Sequence, residues 1–328
     1  MKVLLLGATG LLGHNVLRRL VAEGHNVTAL VRRADGIRFD GDGWQTVVGS
    51  PLDYEMLRRA ADGCEAVINC AGMTDMSLLK IEDYLAVNCD LCGLMVRLME
   101  EIGVKVLVHT SSVNTIGYGT AGHFADEEVP MQPPFKGSFY ADSKKEGEEV
   151  VLSTARRHPD WHVVVINPGF MLGAWDVKPS SGRMLSVAYR HRMMAAPKGG
   201  KAFVAVQDVA QATVNALTLG DNGARYIAVN SHACISIKEL YELQARTMGY
   251  RQCVLTLPYW LLAVAGCVGD VIRALGIRTE LSTRNVRQLM VREYYDNGRA
   301  VAVLKMPETP IEQAITEYHQ WRNKNNIS

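Results

Sequence analysis

Charge of one sign is missing from this chain: 35 Lys and Arg stand against 34 Asp and Glu in 328 residues. So even a balance gives no reason to expect nucleic acid or an anionic surface as the principal partner. Cysteine is sparse, with seven at positions 64, 70, 89, 92, 234, 253 and 267. An odd number in mostly apolar surroundings predicts reduced core thiols, not a disulfide framework. Cys89 and Cys92 form a CxxC with no second ligand pair at zinc spacing, so two helix-borne core thiols are expected and no metal site. Long apolar runs are absent too. The longest, Tyr259 to Val268, covers ten residues, too few to span a bilayer. It reads as a core helix, with Trp260, Leu261, Leu262, Val264 and Ala265 lining a pocket or touching lipid as the alternatives. With no leader before the first strand, a cytoplasmic protein is predicted. No internal repeat or low-complexity stretch appears.

What is present is concentrated at the start. Val3 to Leu6 form an apolar run that stops at Gly7-Ala8-Thr9-Gly10-Leu11-Leu12-Gly13, and Val16, Leu17, Leu20 and Val21 then recur at helical spacing. Val27 to Val31 follow as a second strand, which completes a βαβ unit. In such a unit the first glycine permits the tight turn, the second lets backbone approach a pyrophosphate, and the third lets helix pack closely on strand. The helix N-terminus supplies free N–H groups to the phosphates. Gly7, Thr9, Gly10, Leu11, Leu12 and Gly13 are therefore the first candidate cofactor residues. The acidic residue that commonly meets a ribose 2′-hydroxyl at the end of the second strand is lacking. Val31 stands there, followed by Arg32 and Arg33, and two guanidinium groups suit a 2′-phosphate. The expected cofactor is NADP(H).

Further strands are predicted at Trp44–Val48, Ala66–Asn69, Val104–Val108, Trp161–Asn167, Ala202–Val206 and Arg225–Val229, alternating with helices. This order predicts an α/β fold, a Rossmann-type doubly wound parallel sheet with a smaller, mostly helical substrate lobe. The expected division is 1–173 plus 201–234 for the dinucleotide-binding domain and 174–200 plus 235–305 for the lobe. A helix in 306–328 would return to the main domain. The carboxyl edge of the sheet gathers further candidate cofactor residues: Asp53, the small-residue turn Cys70-Ala71-Gly72, Asn88 on a long helix from Ile81 to Gly103, and Asn167-Pro168-Gly169.

Chemistry is carried by three residues. The strand at 104–108 delivers Ser111 and Ser112 to the sheet edge, and Tyr140 and Lys144 lie four apart on the next helix, sharing one face. Hydride transfer to a carbonyl needs a proton donor beside the developing alkoxide, and a phenol can serve if a neighbouring ammonium lowers its pKa. Ser112 would hold and polarise the substrate oxygen. Ser112, Tyr140 and Lys144 are the candidate catalytic residues, with Tyr140 and Lys144 also facing the cofactor.

With these motifs in this order the chain resembles an extended short-chain dehydrogenase/reductase over nearly its full length, from the turn at Gly7 to the helix after Thr309-Pro310-Ile311-Glu312. The resemblance implies a catalytic serine five residues ahead of a glycine, which selects Ser112 before Gly117. It also implies a structural aspartate at Asp208 in Val206-Gln207-Asp208-Val209-Ala210, and a helix asparagine at Asn88, either supporting the site or packing the helix. A homodimer is a further implication. Where nucleotide-sugar members of the family place an Asn, this chain has Phe170. Ile166-Asn167-Pro168-Gly169 is similar to the dihydroflavonol reductase and 3β-hydroxysteroid dehydrogenase branch. An apolar wall at Phe170 and Met171 suits a hydrophobic ketone or alcohol, whereas Arg183, Arg190 and Arg192 could grip a diphosphate. The expectation is an NADP(H)-dependent oxidoreductase acting on an apolar small molecule. A nucleotide-sugar epimerase or reductase and a non-catalytic NADP-sensing protein are the alternatives.

Overall fold

Val3, Leu4, Leu5 and Leu6 are fully buried, but successive residues point to opposite faces of their strand. Val3 and Leu5 join one hydrophobic cluster and Leu4 and Leu6 another. A strand apolar on both faces belongs inside a sheet covered on both sides, and that is its position in the computed structural model, which describes residues 1–37, 39, 41–177 and 181–325.

In chain order the elements are β1 (Lys2–Leu6), α1 (Leu11–Ala22), β2 (Asn26–Val31), β3 (Trp44–Val48), α2 (Tyr54–Ala60), β4 (Ala66–Asn69), α3 (Glu82–Leu85), α4 (Leu91–Ile102), β5 (Val106–Thr110), α5 (Phe139–Arg157), β6 (His162–Pro168) and β7 (Phe170–Leu172). They continue through α6 (Gly182–Ala188), β8 (Met193–Ala196), β9 (Gly200–Ala205), α7 (Val206–Asn215), β10 (Ala224–Ala228), β11 (Cys234–Ser236) and α8 (Ile237–Thr247). The last are β12 (Cys253–Thr256), α9 (Tyr259–Ala274), α10 (Thr283–Gln288), α11 (Gly298–Leu304) and α12 (Ile311–Lys324). Seven strands form one parallel sheet in the order β10-β6-β5-β4-β1-β2-β3. Helices α1 and α7 pack together, as do α4 and α5, and they cover opposite faces. The fold is the doubly wound α/β arrangement expected from the alternation of strands and helices.

Three details differ from the sequence reading. β5 runs to Thr110, two residues past the expected end, because His109 and Thr110 pair in register with Val165 and Ile166. The long helix from Ile81 is continuous but widens into a π-helical turn at Ala86–Asp90. The chain from Phe170 on also holds more strand than expected: β7 and β11 join the expected strand β9 in a small sheet and β8 pairs with β12. A core of Leu172, Leu185, Phe203, Leu240, Ile315 and Tyr318 joins this sheet to α6, α8 and α12, so α12 bridges α8 and strands β7 and β9. Asp208 accepts from the Thr309 amide and hydroxyl, both at 2.7 Å, which fixes the chain entering α12.

Candidate active site

The nucleotide turn is built by steric necessity. Gly7 has φ +81°, and a Cβ there would sit 2.5 Å from the Ala71 nitrogen. Two βα turns, after β1 and after β4, thus touch backbone to backbone. A Cβ on Gly13 would lie 2.1 Å from the Gly7 carbonyl oxygen, so helix α1 rises directly against the turn. Gly10 is the N-cap of α1, with no capping side chain and no acidic residue in the first turn. The N–H groups of the first turn therefore face outward with a positive end and no built-in anion. Leu11 and Leu12 bury their side chains in the core and can meet a ligand only through backbone. This cradle, closed to a Cβ at Gly7 and Gly13 and lacking an internal cap, fits a pyrophosphate.

The two arginines after β2 differ. Arg33 is exposed and grips Asp35 through Nε at 3.1 Å and a terminal nitrogen at 2.7 Å; Arg32 is also exposed. Asp53 is spent on structure: its carboxylate accepts from the amides of Glu55 and Met56 and caps α2.

Ser112 leaves β5 in extended conformation, and its hydroxyl accepts from the Asn114 amide at 3.2 Å. The Ser112 side chain faces the Tyr140 phenol. One turn on, Lys144 is buried and donates to the Thr110 carbonyl at 2.6 Å. Burial raises the Tyr140 phenol above its ordinary value, and the neighbouring Ser112 hydroxyl works against that rise. Burial likewise lowers Lys144, opposed by Cys92, Glu148 and Cys70. The expected lowering of the phenol by Lys144 is absent from this arrangement, because the ammonium is turned to a backbone carbonyl and desolvation dominates.

Behind this pair lies a polar layer that the sequence did not disclose. Glu148 is fully buried and accepts from Ser111 Oγ at 2.6 Å, Thr115 Oγ1 at 2.7 Å and Asn167 Nδ2 at 2.8 Å. Burial alone would raise its carboxyl, but Lys145 and the Ser111 and Thr115 hydroxyls hold it below the usual range. Asn167 also donates to the Ser112 carbonyl at 3.1 Å. It supports the serine from beneath, a different place from the cofactor contact expected of it. Gly169 serves close packing, since a Cβ would meet the Ala202 carbonyl oxygen at 2.3 Å, and Pro168 sits in register with Ala228.

Asn88 resolves in the same sense. Its Oδ1 accepts from the Met73 amide at 2.8 Å, and its Nδ2 donates to the Met73 carbonyl at 3.1 Å and to Ser143 Oγ at 2.9 Å. Its amide is consumed in clamping the Cys70–Gly72 turn against α5, on the π-helical turn that lets it reach both. Gly72 itself is open towards Lys144, whose Nζ would lie 4.0 Å from a Cβ there. Cys70 accepts from Thr110 Oγ1 at 3.6 Å, and burial pushes its thiol up to about 11. Cys92, pushed up by burial to about 12, lies beside the Asn88 carbonyl at 3.5 Å.

Comparison with known proteins gives the family. The model of the NAD dependent epimerase/dehydratase family matches residues 3–230. The chain belongs to the NAD-dependent epimerase/dehydratase family. The family binds a nicotinamide dinucleotide. A putative dihydroflavonol 4-reductase of Synechocystis is 30% identical over 96% of this chain and 92% of its own. Sterol demethylase protein B of Methylococcus capsulatus is 27% identical over 98% of both. The UDP-glucose 4-epimerase of Thermus thermophilus, solved with NAD, superposes with a TM-score of 0.76 at 21% identity, covering 98% of this chain and 99% of the other. In this chain Ser112 follows β5 and Tyr140 and Lys144 open α5, at the same sheet edge as the glycine turn.

Tyr140 opens onto a cavity of about 650 Å³ walled by Met76, Leu78, Leu79, Tyr84 and Phe139 on one side and by Asp270, Arg273, Ala274, Arg284 and Arg287 from the α9–α10 hairpin on the other. Arg273 holds the two sides together, donating to the carbonyls of Ser77 at 3.1 Å and Leu78 at 2.6 Å. Neither Phe170 nor Met171 lines this cavity. Phe170 packs edge-on against Phe203 with centroids 5.4 Å apart, and Met171 packs on the main core, because β7 lies in the small sheet beside β9. Of the three arginines that could grip a diphosphate, Arg183 is paired with Glu280 at 2.5 Å and Arg190 lies over the Tyr189 ring. None of the three lines the cavity. The cavity walls come from segments around 76–84 and 270–287, whose polar residues show no pattern when read along the chain.

Proposed function

We propose that this family member is an NADP(H)-dependent oxidoreductase that interconverts a ketone and a secondary alcohol on a fairly apolar, steroid-like or polycyclic substrate. The observation that carries the reading is Tyr140, with Ser112 beside it, opening onto a cavity whose one wall is Met76, Leu78, Leu79 and Phe139. The names borne by two relatives, a dihydroflavonol reductase and a sterol demethylase component, support it. Gly7 to Gly13 would hold the pyrophosphate, Arg32 the 2′-phosphate and Lys144 the nicotinamide ribose. When bound, the nicotinamide supplies the hydride.

The chain's own residues then do the rest. Tyr140, with its phenol kept protonated by burial, gives its proton to the carbonyl oxygen. Ser112, fixed by Asn114 and Asn167, orients that oxygen by hydrogen bond. The α9–α10 hairpin shields the reacting atoms from water.

A second reading, a nucleotide-sugar epimerase or reductase, draws on the exposed Arg284 and Arg287 beside the cavity, which suit a diphosphate. One assay separates the two. The protein is given NADPH or NADH with a 3-ketosteroid, a dihydroflavonol or UDP-glucose. Consumption of NADPH in step with ketone reduction supports the first reading. Epimerised UDP-glucose without net cofactor consumption supports the second.

A further inference from the structure

Helix α9 is 16 residues long and buries only Gly266 and Gly269. Both glycines meet the chain entering α10: a Cβ on Gly269 would stand 2.1 Å from the Leu281 carbonyl oxygen, and one on Gly266 3.0 Å from the Thr283 Cα. The helix is not the core helix its composition predicted, because only these two glycines of it are buried. Away from the seam, Trp260, Val264, Val268, Val271 and Leu275 recur every three or four residues and so form one stripe. They are 64, 57, 53, 62 and 72% exposed. Tyr259, Leu261 and Ile277 widen the stripe, all exposed, and no charged residue interrupts it from Tyr259 to Gly269. Contiguous apolar surface of this extent marks a contact with something.

The surroundings indicate what. Arg251 precedes the stripe, and Arg273, Arg278, Arg284 and Arg287 follow it, against Asp270 and Glu280 alone. Glu280 is paired with Arg183, and Asp270 accepts from the Thr283 amide at 3.1 Å. Arg273 is spent on the Ser77, Leu78 and Thr279 carbonyls and Arg284 lies over the Phe139 ring, so Arg251, Arg278 and Arg287 carry the positive charge that flanks this exposed apolar run. Trp260 and Tyr259 at one end have the amphipathic rings favoured at a headgroup boundary. Asp270, Arg273 and Ala274, on the same helix, line the cavity that holds Tyr140.

We propose that the α9 stripe seats the protein on the surface of a bilayer containing anionic lipid, with α9 lying in the plane of the interface and its arginine flanks on the headgroups. A second copy of the chain would bring the same positive flank and leave it unneutralised. Among the described residues no helix is long and apolar enough to cross a membrane, so the seating is peripheral. It stands apart from the substrate proposed above, since vesicle binding is read without turnover.

The test floats the full chain with vesicles of phosphatidylcholine alone or mixed with phosphatidylglycerol. Binding to the mixed vesicles roughly tenfold tighter, weakening as salt rises, is expected. The triple variant Trp260→Ser, Val264→Ser, Val268→Ser changes only exposed side chains and is expected to keep its melting temperature while losing flotation. Failure of the wild type to float with either vesicle, or unchanged flotation by the variant, would overturn the proposal. So would a wild-type dimer that the variant abolishes, which would assign the face to a second copy.

Discussion

Glu148 accepts the Ser111 hydroxyl at 2.6 Å, and through that bond helix α5 is tied to the end of β5 immediately beside Ser112. With Thr115 and Asn167 on the same oxygen, removal of the carboxylate takes an acceptor from three buried donors. Glu148→Ala is expected to cost about 3–5 kcal/mol of stability, and Glu148→Gln less, in urea unfolding followed by circular dichroism. Because the folded carboxyl is held below its ordinary value, its contribution is present above the unfolded pKa of about 4.3. It is lost as pH falls through the folded value, and wild type and Glu148→Gln should converge in stability on acidification.

Arg32 and Arg33 predict different losses. A charge-assisted contact contributes about 1.5–3 kcal/mol, so Arg32→Ala should weaken NADPH binding roughly ten- to a hundredfold and leave NADH unchanged. Arg33→Ala should cost less, because its guanidinium is already engaged with Asp35. Isothermal titration of each variant with both cofactors decides it. A uniform loss for NADH and NADPH would remove Arg32 from the 2′-phosphate site.

Gly13→Ala places a methyl group 2.1 Å from the Gly7 carbonyl oxygen, which backbone cannot yield cheaply. A cost of about 1–3 kcal/mol is expected, together with weakened binding of both cofactors alike, since the displaced turn serves the pyrophosphate common to them. Thermal melting with and without cofactor measures both effects.

The pH profile follows from burial. Tyr140 is raised above its ordinary value of about 10, so ketone reduction should stay flat through neutral pH and fall only in strongly alkaline solution. Alcohol oxidation, which needs the phenolate, should rise over the same range. Steady-state rates in both directions give the comparison.

The parts of this protein that were legible in the sequence are those whose signal is local. The run from Val3 to Gly13 announces strand, turn and helix because each glycine answers a steric demand within a few residues. Tyr140 and Lys144 share a face because helical geometry places them there. What could not be read depends on residues that meet only in three dimensions. Glu148 looks like any surface carboxylate of a charged helix until β5 and β6 bring Ser111, Thr115 and Asn167 to it. Phe170 was expected to face substrate, yet β7 pairs with β9 and turns the ring onto Phe203. Asn88 reaches Met73 and Ser143 from a π-helical turn that leaves no mark in the residue pattern. The Tyr259–Val268 run has the composition of a core helix, and only the glycine seam beneath it shows that its apolar side is outermost.

The central claim is that Tyr140 and Ser112 serve net hydride transfer to an apolar ketone. It is tested most directly by supplying NADPH deuterated at the transferring position with a 3-ketosteroid and analysing the product by mass spectrometry, for the wild type and for Tyr140→Phe. The account predicts deuterium on the carbinol carbon with the wild type and a rate about 10²–10⁴-fold lower with the variant. Deuterium transfer at an undiminished rate in Tyr140→Phe, or no label in the steroid while a UDP-sugar is epimerised, would contradict it.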